Sequence, residues 1–249
     1  MTTKPSWVRR FHPAPHNAAR TVVVFPHAGG GASAYRLLSA AVTEAGSEAL
    51  VIQYPGRQDR AAEPHPGTLA GLAQGAVAEL IAQLDGRPIT LFGHSMGAIV
   101  AFEAARTLQA AGIVVQQLVP SAAVPPSRVA ELPPHPSSDE DLLARAAVLD
   151  GSDPAVLANN TIARLALPAM RADFAAFDAY RCAESVTVDA RVMALGGTDD
   201  PAVLPAHLHG WAGHTTADAQ VRLLPGGHFF INEHTATLAQ LVSAAETRL

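Results

Sequence analysis

Three residues of this chain have the types and surroundings for nucleophilic chemistry, and the plainest is a serine between two glycines. Ser95 lies in Gly93-His94-Ser95-Met96-Gly97, preceded by Pro88-Ile89-Thr90-Leu91-Phe92 and followed by an apolar helical pattern. That order spells strand, tight elbow and helix, with the serine hydroxyl lifted clear of the sheet on a strained turn. Side chains two residues to either side would collide there, and glycine at 93 and 97 removes the collision. From Ala98 to Ala111, Ile99, Phe102, Ala105 and Leu108 recur at helical spacing, so one face can lie on a sheet while Glu103, Arg106 and Gln109 face elsewhere.

A serine hydroxyl is a poor nucleophile at neutral pH and needs a histidine to take its proton and a carboxylate to orient that histidine. Val221 to Leu224 reads as a short strand, and Pro225-Gly226-Gly227-His228-Phe229-Phe230 follows as a glycine turn that can carry His228 over the elbow. His234 falls in or near the next helix, where a solvated surface role is expected. For the acid, the strand-like run Ala190 to Leu195 ends in Gly196-Gly197-Thr198-Asp199-Asp200-Pro201. That places carboxylates at the C-terminal edge of a strand, where open α/β sheets gather their ligands. Pro201 favours an extended residue before it, which suits Asp200 to a fixed loop carboxylate, with Asp199 as the alternative or as a cap for the next helix. A tetrahedral intermediate also needs amide donors for its oxygen. These are expected from Met96, after the serine, and from Ala28 in the turn Pro26-His27-Ala28-Gly29-Gly30-Gly31. That turn lacks the Lys-Ser or Lys-Thr a phosphate loop would carry.

The elements that must position these groups read as strands near 21–25, 49–53, 88–92, 113–120, 190–195 and 220–224, with helical patterns between most of them. Such alternation implies an α/β fold, a mainly parallel central sheet with helices on both faces. The interval 121–186 is too long for a simple crossover. It opens on prolines, Val124-Pro125-Pro126 and Leu132-Pro133-Pro134-His135-Pro136, and continues with helical patterns at Asp139 to Leu149, Pro154 to Leu157 and Ile162 to Tyr180. It reads as a helical lid inserted into one domain spanning 1–249, with Ser138 capping an acidic first turn and an apolar surface from Leu165, Leu167, Met170, Phe174 and Phe177. Met170 and Phe174 are the expected substrate contacts.

With 249 residues, 49% of them hydrophobic, the chain can bury a substantial core. A net charge of −5 without a long basic run argues against nucleic-acid and anionic-membrane surfaces. The one cysteine, Cys182, allows no intramolecular disulfide and reads as a packed thiol. The first ten residues lack the apolar run of a signal peptide, and no segment approaches the ~18 apolar residues of a membrane span. A cytoplasmic monomer is expected. His207, His209 and His214 offer imidazoles without a spaced carboxylate or cysteine, so a helix with surface histidines is expected, and no metal or cofactor.

Taken together, the chain resembles the type II thioesterases, free-standing α/β-hydrolases that edit modular polyketide and nonribosomal peptide synthases. The resemblance runs nearly the whole length. It is carried by Phe25-Pro26-His27-Ala28-Gly29-Gly30, Tyr54-Pro55-Gly56-Arg57, Phe92 to Ala98, Leu167-Pro168-Ala169-Met170-Arg171-Ala172-Asp173-Phe174 and Pro225 to Phe230. Val119 to Val124 departs from the pattern in holding no basic residue. The resemblance implies a triad of Ser95, Asp200 and His228, and a substrate acyl group carried on the phosphopantetheine arm of an acyl or peptidyl carrier protein. Arg145, Arg164 and Arg171 are candidates to meet an acidic carrier, with intramolecular ion pairs as the simpler expectation.

Overall fold

The computed structural model describes residues 6–150 and 161–244; the expected helical stretch Pro154 to Leu157 lies outside them. A seven-stranded sheet runs β1-β3-β2-β4-β5-β6-β7. Its strands are β1 (Val8–Arg9), β2 (Thr21–Phe25), β3 (Glu48–Ile52), β4 (Ile89–His94), β5 (Gln117–Ser121), β6 (Arg191–Gly197) and β7 (Ala219–Leu224). Among the described residues, only β1 is antiparallel to its neighbour.

Strand residues alternate between two cores, as a period-two strand buried on both faces requires. Val23, Phe25, Leu50, Ile52 and Leu91 pack against α2 (Leu69–Leu80) and α3 (Met96–Ala110) on one face. Val22, Val24, Ala49, Val51 and Phe92 pack on the other, against α1 (Arg36–Glu44) and the C-terminal helix.

The connection from β5 to β6 carries α4 (Asp139–Asp150) and α5 (Thr161–Asp178). Ser138 Oγ accepts the Asp141 N–H at 3.1 Å, the expected cap at the start of α4. Leu142 and Leu143 of α4 bury against Leu167 of α5, giving the pair a small core of its own, while Phe177 joins the main core. Leu165 points outward, 76% exposed. A short helix, α6 (Pro205–Leu208), lies between β6 and β7, and the C-terminal helix is α7 (Thr235–Ser243).

Several expectations are corrected. Residues 113–116 precede β5 rather than forming part of it, and β1 adds an edge strand that the alternation does not announce. Glu103, facing away from the sheet, is buried: the Tyr180 hydroxyl donates to it at 2.6 Å and Arg106 at 2.8 Å. His214 is buried in a 3-10 turn, not a surface histidine, with Ser127 Oγ 2.8 Å from Nε2 and the Val186 carbonyl 2.7 Å from Nδ1.

Candidate active site

The elbow forms because β4 runs straight into α3 through one residue. Ser95 sits at φ 54° and ψ −123°, a region in which an L residue stores roughly 1–3 kcal/mol of strain. Its amide donates to the Ser121 carbonyl at 2.7 Å, and its carbonyl accepts from the Ala98 amide at 2.9 Å, so both neighbouring elements hold the turn. A Cβ on Gly93 would be driven into the Gly97 carbonyl, and one on Gly97 into the Phe25 carbonyl at the end of β2. Glycine at 93 clears the elbow itself, whereas glycine at 97 lets α3 lie against β2.

Parallel pairing brings the other two residues to the same edge. Gly197 of β6 pairs with Leu224 of β7, and the loops beyond stay joined through Thr198 N–H to Leu224 O and Asp199 N–H to Gly226 O, both at 2.9 Å. Asp200 and His228 then meet: Asp200 Oδ2 is 2.8 Å from His228 Nδ1, and His228 Nε2 is 3.0 Å from Ser95 Oγ. A carboxylate can only accept, so the Nδ1 proton points to Asp200, leaving Nε2 to accept the serine proton. Asp200 Oδ1 takes the amides of Ala202 and Val203 at 2.8 and 3.1 Å. Asp199 does not cap the next helix, whose N-cap is Leu204; it is exposed, taking the Thr198 hydroxyl at 2.8 Å. His234 lies away from the serine, its Nε2 2.9 Å from the Pro225 carbonyl.

Aromatic rings enclose the imidazole of His228. Its centroid is 5.3 Å from both His94 and Phe229, and His27 packs edge-on to Phe229 at 4.9 Å. Burial pushes His94 well below the ordinary imidazole range and His27 down to about 4, with the nearness of His228 acting in the same direction. Both flanking histidines are thus neutral at pH 7, and neither opposes a positive charge developing on His228. Neither His94 nor His27 was singled out from sequence; their position beside Ser95 and Ala28 in the two glycine turns was the available signal.

The turn after β2 places Ala28 and Gly29 at the wall of the same cavity as Ser95 and His228, while Met96 opens α3 with its side chain in the core. Among the described residues, the amides of Ala28 and Met96 are not spent on backbone acceptors. The turn is fixed from α5. Gly29 N–H donates to Asp173 Oδ2 at 2.7 Å, and Arg57 binds both Asp173 oxygens at 2.8 Å while also reaching the Gly30 carbonyl at 3.2 Å. His65 Nε2 stands 3.1 Å from Asp173 Oδ1. Burial alone would raise the Asp173 carboxyl, but the bonds from His65 and Arg57 outweigh it and hold it below the usual carboxylate range. This cluster was visible in sequence only as two conspicuous segments, Pro-Gly-Arg and Arg-Ala-Asp-Phe.

The cavity is about 490 Å³, and Met170, Phe174 and Phe177 of α5 line it together with Leu132 and Val203. Arg171 pairs with Asp139 on the outer surface, the simpler expectation for it, whereas Arg145 lines the cavity. A serine, histidine and carboxylate in line, with an apolar space in front, form an arrangement chemically capable of acyl transfer to water.

The model of the thioesterase domain family matches residues 20–248. The chain belongs to the thioesterase domain family. Its sheet and helices are the α/β-hydrolase arrangement that the resemblance implied. The thioesterase is 39% identical over 241 residues to phenyloxazoline synthase MbtB of Mycobacterium tuberculosis, an alignment covering 96% of this chain but 17% of MbtB. It is 40% identical over 228 residues to thioesterase PikA5 of Streptomyces venezuelae, covering 91% and 80% of the two chains. The solved structure of BorB, a type II thioesterase from the borrelidin biosynthetic cluster, superposes with a TM-score of 0.79 at 35% identity, covering 97% of each chain. Among the described residues, no helix is long and apolar enough to cross a membrane.

Proposed function

We propose that this thioesterase hydrolyses acyl thioesters held on the phosphopantetheine arm of an acyl or peptidyl carrier protein, clearing stalled or aberrant acyl chains from polyketide or nonribosomal peptide assembly. The observation that carries the reading is the unbroken line from Asp200 through His228 to Ser95 Oγ, opening on an apolar cavity. Similarity to PikA5 and to BorB supports the biosynthetic setting.

In this reading His228 takes the Ser95 proton as Oγ attacks the thioester carbonyl, and the Met96 and Ala28 amides receive the oxyanion. The C–S bond breaks and the thiol leaves, requiring less protonation than an alkoxide because a thiol pKa is near ~8.5. His228 then activates water, whose attack releases the free acid and returns the proton to Ser95. Met170 and Phe174 contact the acyl chain, and the chain acts as a cytoplasmic monomer.

The test compares acyl groups on a phosphopantetheinylated carrier protein with matched oxygen esters, for the wild type and Ser95→Ala. Serine-dependent release from the carrier, with slow ester cleavage, is expected. Preference for the esters would make the chain a general carboxylesterase or lipase, and carrier binding without turnover would make it a binding module.

A further inference from the structure

One wall of the cavity carries a charge that the chemistry above does not use. Met170 packs on Gly29 beside the Ala28 turn, and Phe174, one helical turn further along α5, stacks on His135 at 3.9 Å with the rings 12° from parallel. Arg145 of α4 shares this lining. It is near enough that, burial acting first, its charge also helps to lower the His135 imidazole. Met170, Phe174, His135 and Arg145 all line the cavity that holds Ser95.

Among the described residues, Arg145 has no ion-pair partner. Its Nε is buried with no hydrogen-bond acceptor among them. Of the acids nearby, Asp178 accepts from the His135 backbone and ring at 2.8 and 2.6 Å, and Asp150, on the same wall, makes an interaction of its own. Arg145 is half-buried, and its buried, unpaired Nε–H beside an apolar space is a cost that an incoming acceptor removes. A carboxylate fits it best, since charge-assisted bonds from arginine are the strong ones and a carboxylate entering an apolar cavity needs such a partner.

We propose that Arg145 sets the acyl specificity of this chain by receiving a carboxylate on the substrate's acyl group, so that monothioesters of dicarboxylic acids are preferred over aliphatic thioesters of equal length. The proposal rests on the thioesterase reading. The reaction is otherwise unchanged: water replaces the thiol at the acyl carbon, the C–S bond breaks, and a dicarboxylic acid and a thiol are released.

The experiment uses glutaryl and pentanoyl thioesters of N-acetylcysteamine, which share chain length and lack a carrier, so any effect of Arg145 on carrier docking is absent. Wild type, Arg145→Met, Arg145→Lys and Ser95→Ala are compared by kcat/KM. A site built to bond a polar group rejects the analogue lacking it, so the wild type should favour glutaryl by about 10-fold or more, Arg145→Met should lower that ratio by about 10-fold or more, and Arg145→Lys should fall between. Pentanoyl hydrolysis by each Arg145 variant reports that it has folded. A wild-type preference for pentanoyl, or an unchanged ratio in Arg145→Met, would overturn the role of Arg145 and leave the thioesterase reading standing. Loss of any difference between wild type and Ser95→Ala on both thioesters would overturn the thioesterase reading and this inference with it.

Discussion

Replacing Asp173 tests how the turn beside Ser95 is held. The carboxylate is 0% exposed and accepts from Arg57 twice, from the Gly29 amide and from His65, and Arg57 itself is 5% exposed. Asp173→Ala leaves a buried guanidinium without its counter-charge, a change that costs about 3–5 kcal/mol. Arg57→Met leaves the mirror-image defect and a similar loss. If the two losses were independent, the double variant Arg57→Met/Asp173→Ala would lose about 6–10 kcal/mol; because each single loss is mostly an orphaned charge, the pair should lose only about 3–5 kcal/mol, a coupling of about 3–5 kcal/mol. Urea unfolding reads this directly: with a slope of about 2.5 kcal/mol/M, each single variant should shift the midpoint down by about 1.5 M. A single-variant loss under about 1 kcal/mol, or strict additivity in the double variant, would refute the account of this cluster as a buried, mutually dependent ion pair.

Three further outcomes are expected. Gly93→Ala and Gly97→Ala should each abolish soluble folded protein or cost several kcal/mol, since each Cβ meets a backbone carbonyl, whereas Gly213→Ala, which meets nothing within 4 Å, should stay within about 0.5 kcal/mol by thermal unfolding. His27 titrates at about 4 when folded against 6.5 when unfolded, so the unfolded chain binds the proton first. Its contribution to stability is complete above pH 6.5 and is lost as the pH falls towards 4, about 2 kcal/mol for a ring that solvent partly reaches, with buried His94 adding in the same direction; a flat midpoint between pH 7 and 4.5, or an unchanged slope in His27→Asn, would contradict this. Asp200→Asn should reduce kcat by a factor of about 10³–10⁴ through loss of the His228 tautomer, and Asp199→Asn should leave it within about twofold, so equal effects in steady-state assays would reverse the assignment of the acid.

What was legible in the sequence follows from how locally each signal is written. β2 shows in four apolar residues and a proline stop, and the elbow in two glycines whose clashes lie within a few residues or on the adjacent strand. Asp200, His228 and Ser95 were each legible because each follows closely on the end of a strand, and parallel strands deliver their ends to one edge. The hidden part depends on partners far along the chain. Glu103 reads as an outward helical residue until Tyr180, 77 residues on, is packed over it, and Arg57 meets Asp173 across 116 residues. β1 exists through its pairing with Ile52 and Val51 rather than through any period of its own. Arg145 looked like one more helix-surface cation, because whether α4 turns it outward or into the cavity is settled by the packing of Leu142 and Leu143 on Leu167.

The central claim, that acyl groups pass through a covalent bond to Ser95, is tested most directly by rapid quenching with an acyl thioester and mass spectrometry of the digested protein. The account predicts a mass increase equal to the acyl group on the peptide containing Ser95, formed faster than steady-state turnover and absent from Ser95→Ala. Turnover that persists in Ser95→Ala, with the acyl mass on another residue or on none, would contradict it.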